Sequence, residues 1–203
     1  MWQMGEHRLY VGNDRKISNT DSVHLMSDFV GVNLEEEVEF PTAFRGSCSF
    51  FCKSEQLPTL YSFYSDRKVD LVGIRIFPED QDDPSGYIED LQFLFCATRF
   101  GINSRNVEPV ANRSRLLTGS IFAQGIFDGR GDIWENQILL MSEEGDVILD
   151  PFAGMGGCLI ACIRAGRISY NIEPDPYNAD VILSRYEAAT GAKAVRVSSF
   201  IRG

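Results

Sequence analysis

The chain has 203 residues, 44% hydrophobic and 24% charged, with 18 glycines and 8 prolines; this excludes disordered, collagenous and coiled-coil chains and describes one ordinary globular domain. Its apolar runs are short, as at Val147-Ile148-Leu149, far below the roughly 20 residues that cross a bilayer. A net charge of 19 − 29 = −10 argues against tight nonspecific binding of nucleic acid, which depends on neutralising phosphates.

The opening Met1-Trp2-Gln3-Met4-Gly5-Glu6 has neither a basic start nor an apolar stretch, so it does not read as a secretion signal. A cytoplasmic protein without a membrane partner is expected. Arg8-Leu9-Tyr10-Val11 reads as a short strand, turning at Gly12-Asn13-Asp14, and a second strand follows at Val23-His24-Leu25-Met26. Residues 58–65 read as a helix with Pro58 near its start. Residues 69–77, rich in branched side chains between charge clusters, read as a strand, and so do residues 92–98. Charge is unevenly spread along this stretch, with 13 acidic against 5 basic residues from Glu35 to Asp90. Five arginines then follow, Arg99, Arg105, Arg113, Arg115 and Arg130, against only Glu108 and Asp128. This basic island is either a solvated face or a surface for DNA.

Residues 132–141 carry Ile133, Trp134, Ile138 and Met141 at helical spacing. Gly145-Asp146 turns into Val147-Ile148-Leu149, an apolar strand of the kind buried in parallel sheets. A glycine-rich turn, a helix over 158–165, a strand over 167–172 and a helix over 178–190 closed by Gly191 complete a βαβα unit. No repeat or linker interrupts the chain, so residues 1–203 are read as a single domain. The five cysteines, Cys48, Cys52, Cys96, Cys158 and Cys162, are odd in number and lack framework spacing, so reduced thiols are expected. With only His7 and His24 available as nitrogen ligands, no metal site is read. Cys158 and Cys162, one helical turn apart, are read as core residues.

The chemistry concentrates in Asp150-Pro151-Phe152-Ala153-Gly154-Met155-Gly156-Gly157, directly after a strand. Glycines there let backbone approach a ligand and aim amides at it from a helix start. Glu173, ending the next strand 19 residues after Gly154, stands where such folds place a carboxylate on ribose hydroxyls. A glycine turn alone is weak evidence; strand, turn, helix, strand and carboxylate in this order are stronger.

In these residues the chain resembles the DNA amino-methyltransferases, which use S-adenosylmethionine (AdoMet) to methylate exocyclic amines of adenine or cytosine. Their AdoMet motif reads Asp-Pro-Phe-x-Gly-x-Gly after a short strand often introduced by Gly-Asp. Here Gly145-Asp146, then Asp150-Pro151-Phe152-Ala153-Gly154-Met155-Gly156, stand in that order. The likeness continues through Tyr170-Asn171-Ile172-Glu173-Pro174-Asp175-Pro176 and the aromatic-containing helix that ends in Thr190-Gly191, covering about the last 60 residues. It implies an α/β, Rossmann-like class I AdoMet methyltransferase fold, a mostly parallel sheet with helices on both faces. It also implies an AdoMet site lined by Asp150, Phe152, Ala153, Gly154, Gly156 and Glu173, in an AdoMet-binding half over 131–203. The family usually has small hydroxyl residues where Met155, Gly157 and Cys158 stand.

The family's catalytic strand ends in Asp-Pro-Pro-Tyr or a close variant. The acid and a backbone carbonyl accept hydrogen bonds from the weakly nucleophilic amine, and the aromatic stacks on the flipped base. In the permuted subclass this motif precedes the AdoMet motif, which would place a catalytic, target-facing half in residues 1–130. The tetrapeptide itself is missing. At its place stands Ser27-Asp28-Phe29-Val30-Gly31, and Asp28 with Phe29 are the first candidates. Asp83 and Tyr87, in Asp82-Asp83-Pro84-Ser85-Gly86-Tyr87, are the second. Trp134 stands in the helix that covers the cofactor in the family, where it is read as core more readily than as a cofactor contact. Absence of a Pro-Cys dipeptide argues against C5-cytosine chemistry.

Three readings follow. The first is an AdoMet-dependent methyltransferase acting on an exocyclic amine of DNA. The second is a catalytically eroded protein of that fold, serving as a binding or regulatory partner in a DNA-modification assembly; either could work with a protein partner or as a homodimer. A third keeps AdoMet but takes RNA, protein or a small molecule as substrate.

Overall fold

A computed structural model describes residues 1–12, 24–28, 46–65, 69–78, 91–99 and 131–197. Among the described residues nine strands form one sheet in the order β5-β6-β4-β3-β7-β8-β2-β1-β9. They are β1 (Trp2–Met4), β2 (His7–Val11), β3 (His24–Asp28), β4 (Ser47–Lys53), β5 (Val69–Pro78), β6 (Leu91–Arg99), β7 (Val147–Asp150), β8 (Ile168–Glu173) and β9 (Val195–Arg196). The helices are α1 (Leu57–Ser65), α2 (Gly131–Met141), α3 (Gly157–Ala165) and α4 (Pro176–Thr190). The five central strands, β4, β3, β7, β8 and β2, are mutually parallel, while β6 and β1 run antiparallel at the two flanks. This is a Rossmann-like α/β architecture, as the resemblance implies.

Burial on both faces explains the continuous apolar runs of the central strands. Neighbouring residues Leu25 and Met26, Phe50 and Phe51, and Leu149 and Ile148 fall into different core clusters. Leu25, Phe50, Leu149, Tyr170 and Ile172 pack with Leu60 of α1 on one face. Met26, Phe51 and Ile148 pack with Trp134 and Ile138 of α2 and with Cys158 and Cys162 of α3 on the other. A third cluster joins Met4 and Leu9 to Leu159, Ile182 and Tyr186. Helices therefore cover both faces, as the resemblance implies. Among the described residues no helix is long and apolar enough to cross a membrane.

Local chemistry sets the helix ends. Asp175 caps α4, its side chain accepting the Tyr177 N–H at 2.9 Å, with Pro176 in the first turn, where its missing N–H costs nothing. Gly191 then closes α4 in the left-handed conformation at φ +71°. The predicted elements appear within two residues of their expected bounds where described, the largest shifts being α4, which starts at Pro176 rather than 178, and β3, which ends at Asp28 rather than Met26. Three strands were not anticipated: the edge pieces β1 and β9, and the central strand β4.

Candidate functional site

In a parallel α/β sheet a crevice opens beyond the carboxyl ends of the strands, where consecutive connections leave in opposite directions. Here β7 leads through α3 to β8 on one side, and β3 lies on its other side. The two strands are tied at both ends. At the amino end His24 Nε2 lies 3.3 Å from Asp146 Oδ2. At the carboxyl end the Ser27 hydroxyl donates to Asp150 Oδ1 at 2.7 Å, with both side chains buried. Asp28, the last residue of β3, pairs in register with Phe51 of β4. The end of the strand read as catalytic thus sits beside the root of the glycine turn.

The turn is built from the strand outward. Asp150 Oδ1 also accepts the Phe152 N–H at 3.1 Å, which folds the chain back as soon as β7 ends. The Ala153 N–H donates to Ile172 O on β8 at 3.0 Å, and Gly156 N–H to Ala153 O at 2.7 Å. Arg185 of α4 holds the outer rim, donating to Met155 O at 2.6 Å. Two glycines serve different ends. At Gly156, φ +81°, an added Cβ would meet Ile182 Cγ1 at 3.0 Å, so glycine lets α4 pack against the start of α3. At Gly154, φ +51°, an added Cβ would meet nothing within 4 Å. There the backbone faces open space, a cradle that a side chain would fill.

Glu173 ends β8 and is buried at 4% exposure. Its Oε1 accepts the Asp175 N–H at 2.8 Å and lies 3.5 Å from Asn178 Nδ2, while its carbonyl receives the Gly12 N–H at 3.0 Å. This fixes a carboxylate one strand away from the turn. Burial pushes the Asp150 carboxyl up to about 7; the Ser27 hydroxyl and the Phe152 N–H pull against that, and Glu173 adds repulsion. The Cys158 thiol is also pushed up, first by burial and then by Cys162 and Asp150. Its Sγ lies 4.0 Å from Cys162 Sγ. Both are free thiols in the core, as their spacing suggested.

Asp150, Phe152, Ala153, Gly154, Gly156 and Glu173 therefore meet around one turn. Trp134 is buried at 3% exposure with its ring 4.9 Å from that of Phe51, which makes it core. Phe29, Asp83, Tyr87, Arg105, Arg113, Arg115 and Arg130 lie outside the described residues, and Arg99 is described only as the last backbone position of β6. Ser27 was not read from the sequence as a link to Asp150. Its one signal was its place before Asp28 at the end of an apolar strand.

Residues 132–184 match a family model described as DNA methylase (N6_N4_Mtase). No curated protein matches the chain in sequence. Among solved structures, the M1.HpyAVI–SAM complex matches with a TM-score of 0.67 at 15% identity, over 88% of this chain and 98% of that one. TTHA0409 of Thermus thermophilus, which carries a DNA modification methylase assignment and was solved with S-adenosyl-L-methionine, matches with a TM-score of 0.65 at 17% identity, over 95% of this chain and 100% of that one. The PvuII cytosine-N4-specific DNA methyltransferase matches with a TM-score of 0.64 at 13% identity, over 90% and 89%. The chain has the AdoMet methyltransferase fold over nearly its whole length, and its segment 132–184, which holds the glycine turn and Glu173, carries the DNA methylase signature.

Proposed function

We propose that this protein is an AdoMet-dependent methyltransferase acting on an exocyclic amine of a DNA base, N6 of adenine or N4 of cytosine. The observation that carries this reading is the Ser27–Asp150 hydrogen bond of 2.7 Å, which draws the strand ending in Asp28 to the glycine turn at the switch point of the sheet. The open space at Gly154 and the buried Glu173 carboxylate fit the cofactor. Glu173 spends Oε1 on the start of α4 and keeps acceptor capacity for a ribose diol. Phe152, Ala153, Gly154 and Gly156 give the backbone wall against which the cofactor lies. AdoMet supplies the electrophilic methyl group.

An exocyclic amine is a poor nucleophile because its lone pair is delocalised into the ring. In this reading Asp28 accepts a hydrogen bond from the amine, orienting that lone pair towards the methyl donor, and Phe29 stacks on the flipped base. Asp83 with Tyr87 is the second candidate pair. Transfer is direct and forms no covalent enzyme intermediate. DNA contact falls to the basic island of Arg99, Arg105, Arg113, Arg115 and Arg130, and the net charge of −10 favours help from a second subunit or a protein partner. Residues 1–130 form the target-facing half of the single domain and 131–203 the AdoMet-binding half.

A second reading, a catalytically eroded partner in a DNA-modification assembly, draws on the sequence Asp28-Phe29-Val30-Gly31, which lacks both prolines of the family tetrapeptide. Calorimetric titration with AdoMet, followed by methyl transfer to mixed DNA, separates the two. Binding that Glu173→Ala weakens, with transfer that Asp28→Ala abolishes, is the expected result. Binding without transfer favours the partner reading, and no binding at all refutes the methyltransferase reading and leaves the glycine turn as architecture.

A further inference from the structure

We propose that Ser27 is a positioning residue of this site: its hydroxyl, donated to Asp150, fixes the carboxyl at the root of the glycine turn and makes cofactor binding depend on the strand that presents Asp28. The proposal rests on the AdoMet reading above and deepens it.

The geometry is specific. Ser27 and Asp150 are at most 1% exposed, so solvent cannot replace either partner. Asp150 Oδ1 takes two donors, the Ser27 hydroxyl at 2.7 Å and the Phe152 N–H at 3.1 Å. One oxygen therefore pins the end of β3 and the first amide of the turn together. Asp28 follows Ser27 directly, so a displacement of the strand end is transmitted to the turn through a single hydrogen bond.

Charge gives the link a further role. Among the described residues, the charged or titratable groups acting on Asp150 are Glu173 on β8 and the Cys158 thiol on α3. Neither is a cation. A buried carboxyl without a counter-charge keeps its proton, and its value of about 7 reflects this. Below about 7.7, where its own α-amino group titrates and enters the proton count separately, AdoMet carries a sulfonium and an ammonium against one carboxylate, a net positive charge, so its arrival favours the ionised form of Asp150. The proton released passes to the buffer. Hydrogen bonds to a carboxylate favour the ionised state, and Ser27 is the first of the two groups that pull Asp150 in that direction. Without Ser27, ionising Asp150 becomes harder and AdoMet binds well only at higher pH.

The test is an AdoMet titration of the full chain by calorimetry between about pH 6 and about pH 9, in two buffers of different ionisation enthalpy, which counts the protons released. Affinity of the wild type is expected to rise with pH and level off above about pH 7, with proton release below that point. Ser27→Ala should move the midpoint of the rise up by about one pH unit, equivalent to about tenfold weaker binding at neutral pH. Ser27→Thr, which keeps the hydroxyl, should restore it, and Ser27→Cys, with a weaker donor of similar size, should fall between them and replaces the alanine variant if that fails to fold. Ser27→Ala binding that is unshifted, or weaker by the same factor at every pH without change in proton release, overturns the proposal while leaving the AdoMet reading standing. A wild type that does not bind AdoMet overturns that reading and the proposal with it.

Discussion

Asp150 places a pH-dependent cost in the centre of the sheet, and Asp150→Asn measures it. The carboxyl is fully buried, and its value moves from 3.8 to about 7. A rise of about 3 units corresponds to about 4 kcal/mol between native and unfolded chains, as an order of magnitude. The native state holds the proton more tightly. The corresponding stability is therefore complete below the unfolded value of 3.8, declines as pH rises, and is lost once pH passes about 7. Asparagine has nothing to titrate, and its Oδ1 can still accept from Ser27 and Phe152, although the added amide donor costs about 1–3 kcal/mol if it finds no partner. That last cost does not depend on pH. The stability of Asp150→Asn relative to wild type should consequently improve by about 3 kcal/mol between about pH 5 and about pH 8, the two units below the native value at 1.36 kcal/mol each. Urea denaturation at a series of pH values reads this difference. His7 and His24 are held below 6.5 by burial, so each adds stability present above that value and lost as pH falls through its native value. Both are shared by the two proteins, and their effect cancels in the comparison. A difference that stays flat across the range would refute the assignment of a neutral Asp150 to the free protein.

The two glycines of the turn should separate binding from stability. Gly154→Ala meets no neighbouring atom and should cost about 1–2 kcal/mol through its left-handed backbone alone, yet weaken AdoMet binding at least about tenfold by filling the cradle; calorimetry and thermal melting check both halves. Gly156→Ala carries the same backbone strain and also drives its Cβ against Ile182 at 3.0 Å, so melting should show a further loss of about 1–3 kcal/mol. Trp134→Ala should cost about 3–5 kcal/mol in urea denaturation, because its ring packs on Phe51 in the core beneath α2; a small loss accompanied by a large drop in AdoMet affinity would instead make Trp134 a cofactor contact.

The segment from Gly145 to Gly191 was legible because its signals are local. Gly145-Asp146, the Val147-Ile148-Leu149 run, the glycine turn, Glu173 and the Thr190-Gly191 stop each report their own backbone geometry, and they occur in chain order. β4 was not legible for the opposite reason. Ser47-Cys48-Ser49-Phe50-Phe51-Cys52-Lys53 has no sustained apolar–polar alternation, because both faces of the strand are buried, Phe50 and Cys52 packing on one and Phe51 on the other. The Ser27–Asp150 bond spans 123 positions, and no local pattern carries such a contact; only the parallel pairing of β3 with β7 brings the two together.

That pairing also explains why chain order is immaterial to the site. β7 lies between β3 and β8, so the cofactor turn meets Glu173 on one side and the end of β3 on the other, whichever strand the chain forms first. The sheet requires only that the carboxyl ends of β3, β7 and β8 open on the same side, and their parallel pairing ensures this. In the proposed function a target-facing β3 can therefore precede a cofactor-binding β7 with no loss of geometry, provided something holds the two ends in register. Backbone pairing between β3 and β7 reaches His24 with Ile148 and Leu25 with Leu149 and is not extended to Asp28. Beyond it, the Ser27 hydroxyl on Asp150 links the two strand ends, so at the crevice a side-chain bond adds to the backbone pairing of the sheet.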